Sequence, residues 1–482
     1  MSNAANSLSA LRSASKTSET RAAAQPEWLS TLRNEAMAQF EEQGIPTRRL
    51  EDWKGTNLSP LENMSFVESD VVESDVVESD VAGSGADQKS LELPASENPG
   101  ATLVFVDGRF APDLSGDFES GLPKGVSVKT IARLLGEEPD RLKGLLAQLT
   151  DTKRESLAAL QTAFLEDGVA LFIEAGARLE EPLRIQFVAT ENAEGPTASF
   201  PRLLVVAGEN SQATLLTEHL CAGNAQGFTN FVSEFLVAQG ARIESVEIQS
   251  ESAERVHFTG AYARVERDGH FDSHVFTLGT GLVRSELQVT LAEPGAETRM
   301  RGFYLGQDLE QAANSGAKAI GSHIDHFTTV DHAAPHCTSD EEYRGVMGGS
   351  SKGVFRGRVI VRPDAQKTEA RQQNPNLLIS DKASVDTKPQ LEIYADDVRA
   401  SHGSTIGQLD EEALFFLRAR GLDPEEARLL LTRAFAHSVV GGIENETLRA
   451  TAARRVDAAL ANVGALSGSN AASTVLNPET SG

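Results

Sequence analysis

Between Gly168 and Ile406 the apolar residues come in short runs, VALFIEA, LRIQFVAT, RLLVVAG, FVSEFLVA and RIESVEIQ among them, closed by Gly, Asn or Asp. The runs have strand length and recur irregularly, about every ten to twenty residues, with no helical pattern between them. A βαβ array would place helices there, so the pattern predicts an all-β body of many strands. A sandwich and a stacked β-solenoid both fit. The region is longer than a usual sandwich, and stacking hides strand edges, so the solenoid is favoured. Corners such as RQQNPN, residues 371–376, suit stacked coils.

A solenoid needs capped ends, and both flanks read as helical. From Pro26 to about Leu61, Trp28, Leu32, Met37 and Phe40 fall on one helical face that Gly44-Ile45-Pro46 closes. After the body, Asp410 caps a helix running to Gly421, and Asp423-Pro424-Glu425-Glu426 opens a second. Leu414, Phe415 and Leu417 on the first helix and Leu430, Ala434 and Phe435 on the second have helical spacing. Either they pack on each other or they form a docking face for a partner.

The domain organisation that follows is a disordered start (1–25), an N-terminal helical region (26–64), an acidic linker (65–98) and a mixed α/β continuation (99–166). The β core (167–407), a C-terminal helical domain (408–465) and a disordered tail (466–482) complete it. The linker contains VESDVVESDVVESDV, residues 67–81, whose five-residue period suits neither helix nor strand.

A net charge of −26 argues against nucleic acid and anionic membranes as partners. No run approaches the roughly 18 apolar residues of a membrane helix. The N-terminus lacks a secretory pattern, so a cytoplasmic protein is expected. Its Ser/Ala-rich start, with Arg12, Lys16 and Arg21, keeps an organelle transit peptide as a second reading. Two cysteines, Cys221 and Cys337, exclude a disulfide framework and fit a reducing compartment.

Enzyme signatures are sparse. No P-loop occurs, and Gly349-Ser350-Ser351-Lys352-Gly353 matches G-x-S-x-G but leads into a strand-like run rather than a helix, which defeats a nucleophile elbow. The segment GSHIDHFTTVDHAAPHC gathers His323, His326, His332 and His336 beside Cys337, ligand types that suit zinc or iron. Strand alternation would send these side chains to opposite faces. Two cysteines cannot supply four thiolates, so a cluster held here would need ligands from another chain.

Four segments carry a resemblance: EDWKGTNL (51–58), HFTTVDHAAPHCTSDEEYRGVMGG (326–349), the run from Gly353 to Val398, and SHGSTIGQLDEEALFFLRARGL (401–422). Together they resemble the SufB/SufD family, scaffold subunits of the SUF iron–sulfur cluster assembly machinery, on its SufD side. SufB-type chains carry a cysteine where this sequence has Ala383 and a glutamate where it has Gly403. Many family members also place a cysteine at the position of Ala400, and most have an aromatic residue at the position of Gly55.

The resemblance implies a right-handed parallel β-helix between helical domains and a complex with SufB and the ATPase SufC, SufC meeting the C-terminal helices. It also implies a transient iron–sulfur cluster shared with SufB, a reduced flavin (FAD) in the complex, and a homodimer when the chain is isolated. His402 carries over as the functional residue, an iron ligand or proton carrier, with His336 and Cys337 as further metal candidates and Leu414, Phe415, Leu417, Leu430 and Phe435 as the docking face. Two rivals remain: a purely structural adaptor for SufC, and a polysaccharide-active β-helix enzyme.

Overall fold

The computed structural model describes residues 26–67, 102–279, 281–308 and 321–471, the last ten as backbone alone. The expectations for residues 1–25, for nearly all of 65–98 and for the end of the tail lie outside the described residues.

Among the described residues, twenty strands make the body. They are β1 (Thr102–Val106), β2 (Arg109–Phe110), β3 (Val126–Thr130), β4 (Gly168–Ile173), β5 (Leu183–Thr190), β6 (Thr197–Ser199) and β7 (Arg202–Ala207). Then follow β8 (Gln212–Ala222), β9 (Gly227–Val237), β10 (Arg242–Ser250), β11 (Arg255–Val265), β12 (His270–Thr277), β13 (Leu282–Leu291) and β14 (Glu297–Gly306). The series closes with β15 (His323–His332), β16 (Thr338–Met347), β17 (Lys352–Val361), β18 (Glu369–Leu378), β19 (Ser384–Ile393) and β20 (Arg399–Gly407).

From β8 onward, successive strands alternate between two sheets, and each pairs in parallel with the strand two places along the chain. One sheet runs β5-β8-β10-β12-β14-β16-β18-β20, the other β19-β17-β15-β13-β11-β9-β7-β4. That is a parallel β-solenoid, with flanking helices, as the strand pattern predicted. Register is in step from rung to rung: Ser273 lies opposite Met300, Met300 opposite Glu341, Glu341 opposite Gln372, and Gln372 opposite His402.

The period of two sorts each strand's residues between interior and exterior. In β8, Ala213 and Leu215 join the interior cluster, whereas Leu216 faces the C-terminal helices. RQQNPN is no corner: it lies within β18, where Asn374 donates to the Tyr304 hydroxyl at 3.2 Å and to the Tyr343 carbonyl at 2.9 Å. Asn and Pro are turn residues in most contexts, but a solenoid interior satisfies an amide with neighbouring rungs.

Helix α1 (Glu27–Gln43) ends at Gly44, whose φ of 70° only glycine adopts without strain. With α2 (Ser59–Glu62), α3 (Ile131–Glu137) and α4 (Ser156–Phe164) it covers one outer flank of the solenoid. Trp53, Leu58, Leu61, Leu157 and Phe164 pack there against Phe228 and Phe258 of the sheet.

At the other end come α5 (Glu411–Arg418), α6 (Pro424–Val440) and α7 (Glu446–Ala471). Asp410 caps α5, and Asp423 and Glu426 form a capping box on α6. Ala436, Val439, Ile443, Leu448, Val456 and Leu460 cover Val246, Phe276, Phe303 and Val346 on the outer face of the first sheet. Glu244 accepts from the backbone N–H groups of Glu444 and Asn445, which ties the start of α7 to β10.

Candidate functional site

Among the described residues β20 and β19 are the terminal strands of their sheets, so each leaves one row of backbone groups without a strand partner there. Exposure concentrates here. Tyr394 is 61% exposed, and Ile393, Ile406 and His402 are exposed too. His402 is therefore a strand residue on the last rung, and α5 begins nine residues further on, at Glu411.

Behind His402 the interior is polar. Gln372, its register partner, donates to Glu341 Oε2 at 2.7 Å, and Thr328 donates to Glu341 Oε1 at 2.6 Å. Burial pushes the Glu341 carboxyl up to about 7 despite those two donors. His326 lies between Tyr304 and Tyr343, at ring separations of 5.2 and 5.3 Å, and meets Thr277 Oγ1 at 3.2 Å. A file of polar side chains thus leads from the interior to the last rung, and sequence reasoning missed Glu341 and Gln372. The signal was there in the every-second-residue spacing of polar residues, Ser339 and Glu341 in β16 and Gln372, Asn374 and Asn376 in β18, within strands otherwise built to be dry.

The histidine run does not converge. His323 reaches Thr56 Oγ1 at 2.9 Å, His332 reaches Ser339 Oγ at 2.8 Å, and burial holds His326 and His332 down to about 4. His336 occupies a turn at φ 60° and is exposed, while the adjacent Cys337 is buried, its thiol pushed up by burial and donating to the Glu293 carbonyl at 3.3 Å. Among the described residues, the three-membered ligand group is His219, Glu247 and His257, so His336 and Cys337 do not join His402 in a site built by this chain. The physical reason is the alternation of the strand and the turn at its end.

The proposed docking face is also re-sorted. Leu414 is buried in the chain's own fold, and Phe435 is half-buried under the Arg344 guanidinium, 4.7 Å from its ring centroid. Those two are packing residues. Phe415, at 73% exposure, Phe416 and Leu430 are the apolar groups presented to solvent, with Leu417 half-buried. Phe416 was missed because helical spacing alone gives a face but not which side the body covers.

Comparison with known proteins agrees with this architecture. The model for the SUF system FeS cluster assembly SufBD core domain matches residues 187–435, and that for the SufBD protein N-terminal region matches 10–185. The chain belongs to the SufBD family. Over 419 residues it is 30% identical to an iron–sulfur cluster assembly SufBD family protein of Synechocystis, covering 84% of this chain and 85% of that protein. The iron–sulfur cluster assembly protein SufD of Escherichia coli is 29% identical over 418 residues, 86% of this chain and 89% of that protein. The SufD of Bacillus subtilis is 24% identical over 439 residues, 88% and 92% of the two chains. This SufBD chain is thus a SufD-like component of iron–sulfur cluster assembly, and the glycan-cleaving alternative falls away.

The segment EDWKGTNL of this SufBD chain has a structural job. Trp53 stacks on Phe258 at 6.4 Å and lies beneath the Arg284 guanidinium, 3.9 Å from its ring centroid. Arg284 is held in turn by Asp325 at 2.5 Å and Glu286 at 2.6 Å, and Thr56 donates to Asp325. Lys388 pairs with Glu51 at 2.8 Å. At Gly55 an added Cβ would stand 3.0 Å from Val354 Cγ1, so an aromatic side chain there requires β17 to give way.

Proposed function

We propose that the chain is the SufD-type half of a scaffold on which nascent iron–sulfur clusters are built, its solenoid end meeting a SufB-type partner. One observation carries the reading: the last rung is bare on its outer side and offers an imidazole, His402, amid Ile393, Tyr394 and Ile406. An unpaired strand edge flanked by exposed apolar groups favours a second protein with a matching edge. When the SufB-type chain is missing, a second copy would serve as the match and give a homodimer of the isolated protein.

A SufC-type ATPase docks on Phe415, Phe416 and Leu430 of α5 and α6, the helices that follow the last rung directly. ATP-driven closure of two such ATPases would twist α5 against β20 and open the interface, a small movement at a bistable contact. His402 then acts as a neutral imidazole ligand for iron or moves a proton during sulfide chemistry. The partner supplies the cysteine and glutamate side chains absent at Ala383 and Gly403. The sequence holds no dinucleotide-binding fingerprint, so the reduced flavin belongs to the assembled complex and not to this chain's own motifs. The setting is cytoplasmic, and the chain itself turns over no substrate.

Anaerobic co-purification with SufB and SufC, followed by iron and sulfide analysis with and without ATP, tests this. The complex should form, and the His402→Ala variant should keep both partners yet lose ATP-dependent cluster formation. Normal maturation by that variant would leave a purely structural adaptor, and failure to capture either partner would overturn the assignment.

A further inference from the structure

Deep in the solenoid, well before the last rung, two imidazoles and a carboxylate meet across the interior. His219 on β8 and Glu247 on β10 project from one sheet, and His257 on β11 from the other. Register places His219 opposite Gln249 and His257 opposite Thr229, so all three stand on neighbouring rungs. Their ligand atoms lie within 4.8 Å of one another, and His219 and His257 have ring centroids 4.7 Å apart. All three are buried.

Hydrogen bonding explains two of the three. His257 Nδ1 meets Glu251 at 2.5 Å, its Nε2 meets Thr259 Oγ1 at 2.7 Å, and that hydroxyl donates to Glu247 at 2.8 Å. His219 has no such account. Among the described residues neither of its ring nitrogens has a hydrogen-bond partner, its Nε2 stops 3.8 Å from Glu247, and its ring is wedged between Phe187 and Phe231. An orphaned buried polar group is costly, and no neighbour among the described residues offsets it.

The geometry points to a metal site formed by His219, Glu247 and His257 that takes a borderline divalent transition-metal ion, Zn²⁺ or Fe²⁺. Two imidazoles and a carboxylate select such ions over the all-oxygen preferences of Mg²⁺ and Ca²⁺. Metal–ligand bonds of about 2.0–2.2 Å require the ligand atoms to draw together by roughly an ångström, within side-chain reach. Glu251 supplies the carboxylate behind a metal-binding histidine that fixes its tautomer: with Nδ1–H donated to Glu251, His257 Nε2 is free to ligate. The ion would replace the Thr259 hydroxyl as the link between His257 and Glu247, and it would give His219 its missing partner. Bridging both sheets, it would staple the solenoid. This site is separate from the His402 reading and stands or falls without it.

The full-length protein, stripped with a chelator and kept anaerobic, should bind a single equivalent of Co²⁺ and show the d–d absorption of a four- or five-coordinate ion. X-ray absorption of the Zn²⁺-loaded protein should show imidazole scattering and no sulfur. His219→Gln and Glu247→Gln should each weaken binding about tenfold or more, while Cys337→Ser should not. Absence of bound metal, sulfur in the coordination shell, or wild-type affinity in both variants would overturn the site. If the variants do not fold, the wild-type scattering still decides, because no sulfur-free two-imidazole shell means no such site.

Discussion

Glu341→Gln is the substitution whose outcome the structure fixes most closely. The carboxyl is fully buried, and burial raises it from 4.5 to about 7. The native state therefore keeps a proton that the unfolded chain releases as pH climbs from about 4.5 to 7. Stability contributed by this group is intact below the unfolded value and is lost as pH rises toward the folded one, at about 1.4 kcal/mol per pH unit and about 3 kcal/mol in all. Glutamine removes the titration at nearly constant volume. Its Oε1 keeps the Thr328 donor, and a flip of Gln372, whose own Oε1 has no partner, lets that oxygen accept from the new amide. Urea unfolding of both proteins at pH 5 and pH 8 gives the comparison. The variant should exceed the wild type by less than about 1 kcal/mol at pH 5 and by roughly 3 kcal/mol at pH 8. Parallel pH profiles would show that Glu341 is ionised in the native state and that the interior near the last rung is wetter than its burial indicates.

Other substitutions probe other parts of the argument. Trp53→Ala should cost about 3–5 kcal/mol by emptying the space between Phe258 and Arg284, and limited proteolysis should find the N-terminal helices released before the solenoid unfolds. Gly403→Glu should leave thermal stability within about 0.5 kcal/mol, because no atom lies within 4 Å of an added Cβ on this exposed edge. Phe415→Ser with Leu430→Ser should leave the melting temperature unchanged and abolish capture of a SufC-type ATPase in a pull-down.

The β class and the helical ends were legible because apolar runs of strand length and helix caps are local signals. Asp410 and Asp423 cap helices as the sequence indicated, and Gly44 ends α1. Side-chain partners were not legible in the same way. Which of His323, His326, His332 and His336 meet depends on the phase of β15 and on a turn, and the phase is set by rungs elsewhere in the chain. Leu414 and Phe415 are neighbours with the same chemistry, yet one is buried and the other exposed, because packing against the body, not spacing, chooses between them. The grouping of His219, Glu247 and His257 draws on three strands and left no motif to read.

The bare last rung also bears on the life of the subunit in a cell. Unpaired strand edges beside exposed apolar residues recruit other unpaired edges, so an orphan copy is prone to self-association and to quality-control proteases. Its abundance would then track the supply of whatever protein closes that edge, with surplus subunit removed and no dedicated regulator needed. Pulse-chase decay with and without a co-expressed SufB-type chain would measure that dependence as a half-life.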